Sequence, residues 1–520
     1  MLRINRNSLT WALNQALNYG DTDIFPEVFE FKAIEHSWND MTNWLENEDV
    51  LNWNVRPPRR CITPKHQFGF RISTQLDPID FLIFTAIVYE IGADLESRRV
   101  PKEERIVHSY RFSPQPDGRM FDEAYTYDSF MQRSKELVEE EYEWIVVADI
   151  ADFFPRLYHH RVKNSLTKST KKTNHALAID NLLNGWNETY SYGIPVGSIA
   201  SRLLAEVALD DVDRSLLSES TRYIRFSDDF RIFCKTKREA YEKLAFLANL
   251  LFENHGLTLQ QHKTHILSKE DFIRCYIATE KEEEINTLSN AFEELISELG
   301  LGSMYEEIEW DDLTPEQQEE ISELNLKGIL EEQVAKEEIN IPLTRFIIRR
   351  LAQLGSDDTL DLIMDSIDKL YPIIPDVVRY IQSIRNIDIP QKNEIGVKVL
   401  NLLGASTVSH LEYHRMWLLS LFTKNTEYDN EKRFAGIFSD WADQFTLRET
   451  ILALGRSKQD EWFRMRKRHV FDFPVWIRRA LLLGGSCLPV DERKHWYQSL
   501  EARLDPLEIA VLKWGRQNPF

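Results

Sequence analysis

The spacing of apolar side chains divides this chain into three stretches. From about residue 60 to 275, short β-branched runs alternate with segments of helical period, which predicts an α+β domain. Residues 143–149 (EWIVVAD) read as a strand ending on an acid. Residues 222–235 (RYIRFSDDFRIFCK) read as two short strands joined at Asp228 and Asp229, a hairpin with aspartate at its turn. Between them, residues 193–198 (GIPVGS) form a turn-rich loop, with Ser198 placed to cap the next helix. On that helix Ile199, Leu203, Val207 and Leu216 make an apolar stripe opposite Arg202, Glu206 and Arg214. From 276 to about 335 the pattern is a charged, mostly helical connector, with partial disorder as the alternative. Beyond 340, amphipathic helices recur (LTRFIIRRLAQLG, LDLIMDSIDKLY, PDVVRYIQSI, YHRMWLLSLFTK, LRETILALGR, VWIRRALLLGG) and strand signals nearly vanish. This predicts an all-α stack of helix pairs with no strict repeat period.

Composition adds bounds to this picture. A chain of 520 residues, 43% of them hydrophobic, can bury a large core and suggests two or three domains. No run approaches the roughly 20 apolar residues of a membrane span, and the first residues lack a secretory pattern, so a cytoplasmic protein with no membrane partner is expected. Cys61, Cys234, Cys275 and Cys487 are widely spaced and read as reduced thiols.

The net charge of -21 argues against a polyanion partner until its distribution is considered. Residues 276–320 hold one lysine and fifteen carboxylates, so much of the excess is local. Two basic islands lie upstream: Arg56, Arg59, Arg60, Lys65 and Arg71, then Arg156, Arg161, Lys163, Lys168, Lys171 and Lys172. They are candidate phosphate contacts, with solvated surface patches as the alternative.

The acids suggest the chemistry. Transfer of a nucleotidyl group from a nucleoside triphosphate needs two divalent ions about 4 Å apart, and carboxylates on adjacent strand ends can hold them. Asp149 at a strand end and Asp228 with Asp229 at a hairpin turn suit this if the elements pair antiparallel. Magnesium is the expected ion, with manganese as an alternative.

In order along the chain, Asp149-Ile-Ala-Asp152-Phe153-Phe154, then Gly193-Ile-Pro-Val-Gly197-Ser198, then Phe226-Ser227-Asp228-Asp229, then Lys263 in HKTHIL resemble the palm motifs of reverse transcriptases. The resemblance implies a right-hand polymerase, with an N-terminal helical extension (1–60), fingers and palm (61–275), an acidic helical connector (276–335) and a C-terminal α-helical repeat domain (336–520). It implies that Asp149, Asp228 and Asp229 are catalytic metal ligands and that Lys263 protonates the leaving pyrophosphate. Asp152, Phe154 and Gly197 would lie at the nucleotide, with Phe154 blocking a ribose 2'-hydroxyl so that dNTPs are preferred. Arg71 would grip the triphosphate, with Arg111 as a competitor.

Val196 stands where most such enzymes carry Gln, and Phe226 replaces the Tyr of Tyr-x-Asp-Asp. The GIPVGS form and the helical tail resemble the abortive-infection, or defence-associated, reverse transcriptases of bacteria (the AbiA and AbiK group). That likeness implies antiphage defence, DNA synthesis without a supplied template, and a DNA product attached to a tyrosine of a homo-oligomeric protein. The rival readings are templated copying of a dedicated non-coding RNA and an inactive helical scaffold. Two other features have plainer readings: His159 and His160 as structural or phosphate contacts, and the run Arg464, Arg466, Lys467 and Arg468 beside Trp462 as a solvated basic face, with a nucleic-acid track as the alternative.

Overall fold

The computed structural model describes residues 1–66, 69–187, 189–277, 325–384, 387–405, 407–429, 433 and 443–520. Most of the acidic connector, residues 278–324, lies outside them. The chain divides into two compact units: Met1–Arg60 with Ile72–Thr279, and Cys61–Arg71 with Glu280–Phe520.

The first unit is built on a four-stranded sheet of Trp144–Asp149 (β3), Tyr223–Phe226 (β4), Asp229–Cys234 (β5) and His265–Ser268 (β6), in the order β4-β5-β3-β6. A separate two-stranded sheet pairs Arg59–His66 (β1) with Gly69–Gln75 (β2). All partners of β3 are antiparallel, and its register runs from Trp144 opposite Cys234 to Asp149 opposite Asp229. Ile145, Val146 and Ala148 of β3 are fully buried, as suits a central strand covered on both faces. One side of the sheet packs a cluster of Phe130, Leu137, Ile145, Ile224, Phe233 and Phe272.

The long helix Pro78–Arg98 starts with Asp77 as its cap and proline in the first turn, and most of it is buried. Its Asp80 accepts hydrogen bonds from the indoles of Trp53 (2.8 Å) and Trp186 (2.7 Å), so a carboxyl is tolerated inside the core.

The second unit is all helical among its described residues from Leu326 onward. The helices Ile341–Leu354, Ile374–Ser383, Glu412–Lys424, Gln444–Arg456, Val475–Gly484 and Pro506–Gln517 pack each on the next in a row. Five of the six predicted helical segments appear nearly as read; LDLIMDSIDKLY is helical only over Leu360–Asp365. Where Gln444–Arg456 meets Val475–Gly484, a Cβ on Gly455 would lie 2.5 Å from the Gly484 Cα. Two glycines thus let these backbones touch.

The basic run in this unit is largely neutralised. Arg464 pairs with Asp460 (2.8 Å) and Glu492 (3.0 Å), Lys467 with Glu492 (2.6 Å), and Arg466 lies over Trp462. No helix among the described residues is long and apolar enough to cross a membrane.

Candidate active site

Antiparallel pairing makes opposite residues near neighbours, about 4.5–5.5 Å apart at Cα, and the β3/β5 register sets Asp149 directly opposite Asp229. Asp228 arrives through the β4–β5 hairpin. Phe226 pairs with Asp229, so the two turn residues are Ser227 and Asp228, one position earlier than the sequence pattern indicated. Ser227 takes the left-handed conformation (φ +53°) that such tight hairpins require. Backbone bonds tie the acids together: the Ile150 N–H donates to the Asp228 carbonyl (3.2 Å), and the Gln260 N–H to the Asp149 carbonyl (2.7 Å).

Lys263 lies on the short turn Gln261–Lys263 that leads into β6, the other neighbour of β3. Its Nζ donates to Asp149 Oδ2 at 2.7 Å, although the lysine side chain is half exposed and Asp149 is buried. The Asp229 carboxyl is pushed up to about 7, first by burial and then by the charges of Asp228 and Asp149, with Lys263 opposing. For Lys263 itself, burial draws the ammonium down, but the bond to Asp149 and the charges of Asp229 and Asp228 outweigh it and hold it above its usual value. Three acids therefore crowd one another around a single lysine.

This donor set fits a hard divalent cation. Its oxygens are carboxylates, and their mutual repulsion is what a cation relieves. Among the described residues no group of three or more His, Cys, Asp or Glu is arranged to hold a metal ion together, so the fit rests on one or two carboxylates at a time. That is compatible with magnesium, which commonly takes one or two carboxylates and completes its octahedron with water and substrate phosphates.

The other expected site residues are distributed as follows. Asp152 is exposed, in a left-handed conformation (φ +49°). Phe154 is half-buried, edge-on to Phe153, and its carbonyl accepts from the Ile194 N–H (3.1 Å), joining the first motif to the GIPVGS loop. The Val196 carbonyl accepts from the Thr74 N–H (3.1 Å). Gly197 has φ +110°, a conformation side chains rarely adopt. Arg71 is exposed on β2 in the segment grouped with the second unit, where its charge acts on Tyr413.

Several expectations are corrected. Arg111 is buried, its Nε on Glu96 (2.8 Å) and its Nη2 on the Val100 carbonyl (2.7 Å), so this competitor serves the core. Ser198 stands at the helix start, but its hydroxyl makes no cap bond. The helix it begins ends at Ala208, and Leu216 belongs to a second helix, Asp210–Ser218. Glu206, placed opposite the apolar stripe of its helix, is completely buried. Of the basic islands, Arg59 is buried, Arg60 donates to the Trp186 carbonyl (2.7 Å) and Lys163 pairs with Asp180 (2.8 Å).

His159 bridges Asn184 Oδ1 (2.9 Å) and the Gly193 carbonyl (2.8 Å). It braces the glycine loop, a role that no spacing in the sequence announces. A cavity of 380 Å³ lies beside the hairpin, lined by Tyr110, Tyr127, Gly197, Arg202, Phe226 and Asp21 among others. A larger one of 700 Å³, bounded by residues such as Ile4, Tyr89 and Lys172 of the second basic island, includes none of the residues of the palm motifs.

Residues 100–313 match the family model described as reverse transcriptase (RNA-dependent DNA polymerase). No curated protein shows significant similarity to the chain. Among solved structures, the chain is similar to apo telomerase from Candida tropicalis (11% identity, 74% of this chain and 73% of that one, TM-score 0.35). It is also similar to telomerase from Candida albicans in complex with a fragment of telomeric RNA (10% identity, 77% and 69%, TM-score 0.31). These likenesses are distant, and the fold assignment rests on the family match together with the sheet.

Proposed function

Starting from a chain whose residues 100–313 carry a reverse-transcriptase domain, we propose that it builds DNA from dNTPs by nucleotidyl transfer. A 3'-hydroxyl or equivalent oxygen attacks the α-phosphorus, a P–O bond forms to the growing strand, and pyrophosphate leaves. Asp149 and Asp228 would hold two magnesium or manganese ions, with Asp229 assisting; when bound, such ions acidify the attacking hydroxyl and neutralise the triphosphate. Lys263 holds its proton beside Asp149 and would pass it to the departing pyrophosphate. Phe154 would close the space a ribose 2'-hydroxyl needs, Asp152 and Gly197 would border the nucleotide, and Arg71 would bind the triphosphate. The observation carrying this reading is the β3/β5 register that opposes Asp149 to Asp229, with Asp228 in the adjoining turn and Lys263 bonded to Asp149.

The finer reading is synthesis without a supplied template, started on a tyrosine hydroxyl, in antiphage defence. Its support is Val196 at the position of the usual Gln and the helical second unit. The purified chain is incubated with labelled dNTPs and Mg²⁺ or Mn²⁺, with and without RNA template, and the product is digested with protease. Template-independent label that protease releases from the protein is the expected result. Incorporation only with template, yielding a unique complementary strand, overturns the finer reading in favour of RNA copying. Asp149→Ala and Asp228→Ala are expected to abolish incorporation and phage protection while the far-UV spectrum stays unchanged; full activity in either variant overturns the enzyme reading.

A further inference from the structure

The turn that carries Asp228 is held from behind by one buried carboxylate. Ser227, the residue before Asp228, has positive φ, a backbone state that a residue with a Cβ keeps only when its surroundings fix it. Its N–H donates to Ser109 Oγ at 2.8 Å, and its carbonyl accepts from Arg225 Nη1 at 3.2 Å. Both partners lead to Glu206. The Ser109 hydroxyl donates to Glu206 Oε1 (2.6 Å) and Arg225 Nη1 donates to Oε2 (2.8 Å), while Arg99 Nη2 also donates to Oε2 (2.7 Å). Glu206, Ser109 and Arg225 are all fully buried.

The charges around Glu206 are matched by further acids. Asp213 takes the other side of the Arg225 guanidinium at 2.8 and 2.6 Å, and Glu96 pairs with Arg99 at 3.0 Å. Buried, charge-matched networks of this kind rigidify what they touch, because a lost member leaves a further buried polar group unpaired. Here the two polar backbone atoms of Ser227 are the network's exit toward the site.

We infer that Glu206 is a positioning residue: through Ser109 and Arg225 it fixes the Ser227 peptide and so aims the Asp228 carboxylate at the metal position. This rests on the nucleotidyl-transfer reading for its purpose, but the hold on the turn can be measured without it. Two variants separate the parts. Glu206→Gln replaces one acceptor by an NH₂ that cannot receive the arginine donors. Ser109→Ala leaves both arginine pairs in place and removes only the hydroxyl that joins Glu206 Oε1 to the Ser227 N–H. Leu183→Ala, a fully buried residue on the helix Thr173–Trp186, supplies a control of lowered stability.

In the full chain, amide hydrogen exchange over residues 226–230 and Mn²⁺ affinity by electron paramagnetic resonance are read for all three. Both test variants are expected to exchange about tenfold faster at the turn and to bind Mn²⁺ several-fold more weakly. Their kcat for dNTP incorporation should fall about tenfold or more, with KM for dNTP within about threefold of wild type. Leu183→Ala should lower Tm without these changes. Exchange and Mn²⁺ binding that move no more than in Leu183→Ala would overturn the inference, and Ser109→Ala decides it should Glu206→Gln not fold. A wild-type chain that neither binds Mn²⁺ nor incorporates dNTP removes the polymerase reading, while the exchange data still decide whether Glu206 holds the turn.

Discussion

Gly197→Ala isolates what the glycine loop demands of its backbone. At φ +110° an added Cβ is strained in any surroundings, and here it would lie 2.6 Å from Thr22 Oγ1 and 3.1 Å from Ile24 Cδ1. Backbone strain of this kind costs about 1–3 kcal/mol. The hydroxyl of Thr22 is not free to withdraw, because it accepts the Ile24 N–H at 3.1 Å, so relieving the overlap adds roughly another 1 kcal/mol. The expected loss is about 3 kcal/mol, which for a domain of this size lowers Tm by roughly 6–10 °C.

Urea denaturation followed by tryptophan fluorescence, together with calorimetry, measures this loss. Thr22→Ala in the same background should recover about 1 kcal/mol of it, since the contact is removed but the strain is not. Unfolding of Gly197→Ala within about 0.5 kcal/mol of wild type, inside the scatter of ordinary surface substitutions, would refute the reasoning. It would mean that the loop reshapes freely and that the glycine is there for the ligand alone.

Other predictions follow from the same geometry. Phe154→Ala should lower the preference for dNTP over rNTP about tenfold or more in kcat/KM measured by single-nucleotide incorporation; an unchanged ratio removes the steric role of the ring. Millimolar Mg²⁺ or Mn²⁺ should raise Tm of the wild-type chain in differential scanning fluorimetry and leave Asp149→Ala and Asp228→Ala unmoved, because only a cation held between the acids favours the folded state. Asp21 is buried and its carboxyl is pushed up to about 7 by burial, against a hydrogen bond from Gln75 and the charge of Arg59. A carboxyl raised this way binds its proton more tightly when folded, so it subtracts stability progressively as pH rises from about 4 to 7 and by a constant amount above. Asp21→Asn should therefore gain stability over wild type between pH 5 and pH 8, read by urea unfolding; an equal difference at both pH values would be inconsistent with the burial.

The parts of this site that depend on local pattern were legible in the sequence. The run Trp144–Asp149 reads as a strand because its core is β-branched and apolar, and it ends on an acid that antiparallel pairing carries to the hairpin. The second unit's helices were legible from their apolar period alone. Features that depend on distant partners were not. Glu206 looked like a polar face residue because its ligands are 97, 107 and 19 positions away, and nothing local marks a carboxylate that answers to two arginines. Leu216 was assigned to the wrong helix, although Asp210, Asp211 and Asp213 crowd one first turn, the composition that starts a new helix. The hairpin turn was placed one residue late because Ser227 adopts a left-handed conformation that glycine or asparagine would have signalled.

A final consequence comes from the position of β3 between β5 and β6. Neighbours zip to it on either edge, so an extra residue inserted before Asp149 cannot be absorbed by a free margin; it must either bulge out or shift the frame of the whole strand. A shift of one turns every side chain to the opposite face, carrying Asp149 away from the turn that holds Asp228. The frame of Trp144–Asp149 is therefore fixed from both sides, and such an insertion is expected to disturb the packing of Ile145, Val146 and Ala148 together with the position of Asp149.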